Sequence, residues 1–302
     1  MTTTIPISGD APRTRALVLG GGGPVGRAWQ TGLATGFAEG TIDLSGADLI
    51  VGTSAGAIVG AEIALGHDMK NALPAPTAAT AMTAPSPPSK TMQEILLAIS
   101  RLSSSPNPEE DLRKIAQTAL AADTPSEEAA LNRSNLTGVT GQHWPSNLTV
   151  TSINTATGVR QIWDSTSGVE LARALAASSA LPGVWPPITV GENRYMDGGI
   201  YSALNADVAK GHQRVVVISC FNLAPTPESA PNSASSGRSL REVEMLRSGG
   251  STVEIIAPDD SFLRLTNNGA MMLNPALETE AFRLGREQAL SELTKVGALW
   301  AI

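Results

Sequence analysis

The chain has 302 residues, a formal net charge of −7, 42% apolar residues and a mean hydropathy of +0.02, which suits one large core or two modest ones. Charged residues make up 16% and aromatics 4%, so the interior falls to Ala, Val, Leu and Ile, and 21 Lys and Arg spread along an acidic chain form no basic stripe for nucleic acid. One cysteine, Cys220, excludes an intrachain disulfide framework and any CxxC metal site. Residues 1–12 are polar and lack the apolar run of a secretory signal, so they read as a flexible tail on a cytoplasmic protein. The most apolar long stretch, Leu49 to Leu65, contains Thr53, Ser54 and Glu62 and is too short to span a bilayer comfortably.

In chain order, Ala16 to Leu19 reads as a short buried strand that runs into Gly20–Gly23, with Pro24 at a favoured first helical position and a helix over Val25 to Ala38. A second strand, Asp48 to Val51, ends at Gly52, and a helix comes next over Ala55 to Leu65. Residues 71–89 hold five prolines among Ala, Thr and Ser, and residues 222–239 are rich in Pro, Ser, Asn and Ala; both read as mobile loops, the first a candidate lid. Between them come amphipathic helices at Met92 to Leu102 and Glu109 to Ala122, then strands at Leu148 to Ile153 and Val159 to Trp163 joined at Thr157-Gly158. The sequence continues with a helix at Val169 to Ser178, a short strand at Arg194 to Met196, a helix at Asn205 to Lys210 and a buried strand at Arg214 to Cys220. A strand at Thr252 to Ile256 and a long helix at Ala276 to Val296 complete it. Alternating strands and helices predict an α/β fold, a mainly parallel central sheet flanked by helices, over residues 13–302.

Three motifs could carry chemistry. Gly21-Gly22-Gly23-Pro24-Val25-Gly26 fits GxGxxG between a strand and a helix, the setting of a dinucleotide site. An oxidoreductase also needs an acidic residue at the carboxyl end of the second strand; here that strand ends in Gly52-Thr53-Ser54, while Asp43 and Asp48 lie at or before its start. What survives is a run of outward N–H groups at a helix N-terminus, suited to negative charge. Gly52-Thr53-Ser54-Ala55-Gly56 is a GxSxG, which a chain with 29 Gly shows by chance with a probability of roughly one in four. Its strand-turn-helix setting is that of a nucleophile elbow, whereas a plain helix N-cap would need only the serine. Tyr195-Met196-Asp197-Gly198-Gly199 places an aspartate on a glycine turn. Alone that would be a turn residue bonding its own backbone. Asp197 nevertheless leaves the carboxyl end of its strand, as Ser54 and the glycine run leave theirs, and open α/β sheets put their sites at that edge. Of the histidines, His212 precedes its strand at the opposite edge, His67 comes after the helix leading away from Ser54, and His143 sits in a Gly-Gln-His-Trp-Pro loop.

GGGGPVG at 20–26, GTSAG at 52–56 and Asp-Gly-Gly at 197–199 together resemble the patatin-like phospholipase family, in that family's order. Ala177 to Pro182 is similar to the small-residue stretch before the family's Asp-Gly-Gly, and Asn205-Ala206 is similar to a short segment after it. The resemblance implies a three-layer patatin-like sandwich and a serine acyl hydrolase with a Ser-Asp dyad and no histidine. Ser54 would be the nucleophile and Asp197 its base. The N–H groups of Gly21, Gly22 and Gly23 would form the oxyanion hole, with Gly52, Gly56, Gly198 and Gly199 as supporting motif residues. It further implies a lipid or acyl-ester substrate, no cofactor or metal, and at most transient contact with a membrane surface. One departure stands: the family commonly carries Arg or Lys just before the glycine that closes the first motif, where this chain has Val25, with Arg27 after Gly26. A silent binding protein of the same fold is the alternative from another class.

Overall fold

A computed structural model describes residues 14–71, 90–102, 105–223 and 233–300, with only the backbone of 90–92 and 233–236. The tail at 1–12 and nearly all of the proposed loop at 71–89 lie outside the described residues. The elements are β1 (Arg15–Leu19), α1 (Gly23–Glu39), β2 (Leu49–Thr53), α2 (Ala55–Ala64), α3 (Lys90–Leu102), α4 (Pro108–Ala121) and α5 (Glu127–Leu131). They continue with β3 (Leu148–Asn154), β4 (Arg160–Trp163), α6 (Leu171–Ser178), β5 (Ile188–Val190), β6 (Asn193–Asp197) and β7 (Arg214–Ile218). The last are α7 (Ser233–Ser248), β8 (Thr252–Ile256), α8 (Asp260–Leu265) and α9 (Glu278–Trp300).

The strands form an eight-stranded sheet in the order β5-β6-β3-β2-β1-β7-β8, with β4 paired to β3 off this path. Pairings among β3, β2, β1, β7 and β8 are parallel, and those of β4, β5 and β6 are antiparallel. Both faces are covered, which is why β1 and β7 read as unbroken apolar runs. Leu17 and Leu19 point into a core with Trp29, Leu33 and Phe37 of α1, Ile58 of α2, Leu175 of α6 and Ala289 of α9. Ala16 and Val18 point into a second core with Val243 and Leu246 of α7. A third cluster joins Ile95 of α3 and Ile115 of α4 to Ile153, Met196 and Ile200.

Two expectations are corrected. Residues 233–239 are not loop but the first turns of α7. Its inward stripe combines Ser239 and Glu242 with Val243 and Leu246, all buried, so half of the stripe is polar and composition hides it. The two polar members are satisfied by Ser202, whose Oγ lies 3.3 Å from Ser239 Oγ and donates to Glu242 Oε2 at 2.8 Å. The second concerns the strand that carries Asp197. It is antiparallel to β3, so its carboxyl end does not share the edge of the parallel strands by direction. Placement comes from register instead. β2 and β4 both pair with Val150 and Thr151, hence from opposite edges of β3; β4 and β6 both pair with Ser152 and Ile153, hence also from opposite edges. β6 therefore occupies the β2 edge beyond Thr53, and the two strands meet carboxyl end to carboxyl end.

Candidate active site

Ser54 is the single residue between β2 and α2, with φ 54° and ψ −118°. Such a backbone costs a non-glycine residue about 1–3 kcal/mol and persists only where its surroundings fix it. Those surroundings are tight: a Cβ on Gly56 would lie 2.2 Å from the Leu19 carbonyl oxygen, and one on Gly52 2.4 Å from Ala57 Cα. Only glycines let α2 leave the sheet this closely against β1. The Ser54 side chain makes no cap bond to α2. Its Oγ instead donates to Asp197 Oδ2 at 2.6 Å, and its N–H donates to Ser178 Oγ at 3.0 Å.

Asp197 ends β6 opposite Ser152, one register step beyond the Thr53–Thr151 pair. Its Oδ1 accepts from Gly199 N–H at 2.7 Å, so the aspartate caps its own turn and still presents Oδ2 to the serine. Its own N–H donates to the Ala180 carbonyl at 3.1 Å. Gly198 crosses Thr151 with no room for a side chain, since a Cβ would sit 2.5 Å from the Thr151 carbonyl. Burial pushes the Asp197 carboxyl up to about 6, against the hydrogen bonds from Ser54 and Gly199 and the nearby charge of Arg133. A carboxylate tuned toward neutrality is a better proton acceptor than an ordinary one.

A polar layer beneath the pair was not visible in the sequence. Asn205, buried and left-handed at φ 52°, donates from Nδ2 to Thr53 Oγ1 (3.0 Å), Thr151 Oγ1 (3.1 Å) and the Ser202 carbonyl (2.8 Å). One amide thus ties the residue before Ser54 to the strand on which β2 and β6 meet. Glu242 accepts from Ala206 N–H at 3.0 Å, and burial pushes its carboxyl up to about 7.

The glycine loop faces the serine: a Cβ on Gly21 would meet Ser54 Cβ at 3.3 Å. Gln30 Nε2 anchors the loop through the Gly20 carbonyl at 3.0 Å. Gly21 itself is not a free donor, because its N–H is engaged by the Ala203 carbonyl at 2.8 Å. The N–H groups of Gly22 and Gly23 have no hydrogen-bond partner among the described residues.

None of the three histidines bonds to Ser54 or Asp197. His212 Nδ1 lies 3.1 Å from the Ala209 carbonyl at the amino end of β7, His67 sits beside Gly138, and His143 is exposed. Asp48 Oδ2 accepts from Arg15 N–H at 2.7 Å and Asp43 caps a short turn, which are structural tasks at the edge away from the glycine loop. Arg27 is buried and paired with Glu62 at 2.5 Å, between α1 and α2.

A patatin-like phospholipase family model matches residues 17–210, about two thirds of the chain. No curated protein matches the sequence. Among solved structures, VipD from Legionella pneumophila is similar at 14% identity and a TM-score of 0.45, over 94% of this chain and 67% of its own. The type III effector protein ExoU is similar at 16% identity and a TM-score of 0.38, over 94% of this chain; the chain spans about half of ExoU's length, 53%. From the extent of the family match over the strands and turns that carry these motifs, the chain belongs to the patatin-like phospholipase family and is a lipid ester hydrolase.

Proposed function

We propose that the hydrolysis runs through a Ser54–Asp197 dyad and an acyl-enzyme, within one patatin-like domain over residues 13–302. The observation that carries this is the 2.6 Å bond from Ser54 Oγ to Asp197 Oδ2, made by a serine that forgoes the helix cap open to it. Asp197 takes the hydroxyl proton as Ser54 Oγ attacks the ester carbonyl carbon, and the alcohol leaves with that proton. Water, deprotonated by the same carboxylate, then attacks the acyl carbon and frees Ser54. Gly22 and Gly23 supply the N–H donors for the tetrahedral oxyanion at the N-terminus of α1, where each donor is worth about 10²–10³ in rate.

Covalent labelling by a fluorophosphonate, with turnover of p-nitrophenyl esters and phospholipids, tests the assignment. Ser54→Ala is expected to abolish both. Because the residue lies at a turn, the loss is expected with stability changed by no more than about 1 kcal/mol. Labelling retained by Ser54→Ala overturns the dyad.

A further inference from the structure

The dyad is held by its backbone as well as by its side chains, and one turn does the holding. The last residues of α6 and those just after it offer Ser178 Oγ to Ser54 N–H and the Ala180 carbonyl to Asp197 N–H. Between these two anchors lies Ser179, and onto it folds Arg133, a residue 46 positions earlier in the chain. Its Nη1 donates to the Ser179 carbonyl at 3.3 Å and its Nη2 to Ser179 Oγ at 2.9 Å and the Ala176 carbonyl at 3.5 Å. Its Nε donates to the Ala130 carbonyl at 2.8 Å, and the guanidinium stacks 4.8 Å over the Trp185 ring. Among the described residues no carboxylate lies within ion-pair distance of Arg133. A planar fork on the last carbonyls of a helix suits the negative end of its dipole, and a lysine cannot reproduce it.

We infer that Arg133 is a positioning residue of the hydrolase: its fork fixes the turn that holds Ser54 and Asp197 by their backbones, and its charge favours the carboxylate form of Asp197. The inference rests on the dyad proposed above. Among the described residues, Arg133 is the ionised group whose field acts on Asp197. The other elements packed on the aspartate bring Ser54 from the end of β2, Ser152 from β3 and Ser178 and Ala180 from the α6 turn, none of which titrates. Burial brings the guanidinium down to about 10, so it stays charged throughout the working range.

The test is kcat/KM for a p-nitrophenyl ester from about pH 5 to pH 9 in the wild type, Arg133→Gln, Arg133→Lys and Asp197→Asn, with thermal unfolding of each. Asp197 must be ionised to act, so activity falls as pH drops through its pKa. Removing the cation moves that acid limb upward, by about 0.5–1 pH unit in Arg133→Gln. Arg133→Lys keeps the charge and loses the fork, so its limb returns to the wild-type position while its rate at pH 8 stays at least about fivefold low. A rate lowered equally at every pH in Arg133→Gln, with the limb unmoved, is what a merely structural role gives and overturns the inference. If Arg133→Gln does not fold, Arg133→Lys decides: a wild-type rate at pH 8 overturns the role of the fork, and an acid limb displaced from the wild-type position although the cation is kept overturns the role of the charge. Activity retained by Asp197→Asn brings down the dyad itself, whatever the Arg133 variants do.

Discussion

Asp197 is kept in the fold at a thermodynamic cost that the base role proposed for it explains. Its carboxyl is pushed from the ordinary range near 3.8 up to about 6, chiefly by burial. The folded protein therefore binds that proton more tightly than the unfolded chain. The resulting stabilisation is complete below the unfolded pKa and is lost as pH rises through about 6. At pH 8 the ionised group disfavours the fold by up to about 3 kcal/mol, at 1.36 kcal/mol per unit. Asp197→Asn keeps an oxygen for Gly199 N–H, and is expected to be inactive yet at least as stable as the wild type at pH 8, an advantage that shrinks toward pH 5. Calorimetry at both values checks this, and a variant less stable at pH 8 than at pH 5 relative to the wild type contradicts it. His67→Ala, His143→Ala and His212→Ala should each keep at least about a tenth of the activity, since loss of a general base costs 10²–10⁴; ester turnover in the three variants decides. Ser54 and Asp197 were legible because each is framed by glycines that the backbone needs at close approaches. Arg133 and Ser178 were not, because their roles come from a contact spanning 46 residues and from a serine in an alanine-rich helix. Nor could spacing show that Gly21 has its N–H engaged by Ala203, far along the chain.

The elements that matter most are those whose mutual approach sets the site. α2 crosses β1 with its Gly56 against the Leu19 carbonyl, a contact that leaves no space for a methyl group. Gly56→Ala is expected to shift α2 off the sheet, with a loss of at least about 2 kcal/mol and most of the activity. Gly237→Ala is the control within a helix: among the described residues its Cβ would meet only the Arg241 guanidinium at 3.7 Å, so the substitution should stabilise α7 by about 0.5–1 kcal/mol with activity unchanged. Denaturant unfolding of both variants separates the two outcomes, and equal effects would show that the α2–β1 approach is not what limits the elbow. The apolar strands β1 and β7 were readable from composition alone, as was α9 from its length. β5, α5 and α8, of three, five and six residues, are too short to show a period. α7 was hidden by its polar inward stripe. The direction of β6 could not be read at all, because it depends on which edge of β3 the strand finds after β2 ends.

At the scale of the whole molecule, a lipid ester hydrolase must meet an aggregated substrate with a surface that carries a net charge of −7. Among the described residues no helix is long and apolar enough to cross a membrane. Among those residues large exposed apolar side chains are mostly single; α3 is the exception, with Leu96 and Leu97 adjacent and 50% and 54% exposed. The opposite side of α3 is anchored by Ile95 in the cluster that contains Met196 and Ile200, so the leucines sit on a helix tied to the strand and turn of Asp197. Full burial of a leucine side chain yields about 1.5–3 kcal/mol, and two half-exposed ones together bring about as much as one full burial. That is less than the ~4 kcal/mol of even a millimolar complex. Anionic headgroups repel the acidic chain and lower the net gain further, within a screening length of about 8 Å at physiological salt. Co-sedimentation is therefore expected to be weak with zwitterionic vesicles, weaker with anionic ones at low salt, and lower still in Leu96→Ala/Leu97→Ala. Stable pelleting with anionic vesicles that persists as salt is raised would mean that apolar area beyond α3 enters the bilayer, and that the enzyme works while anchored to its substrate instead of by passing contact.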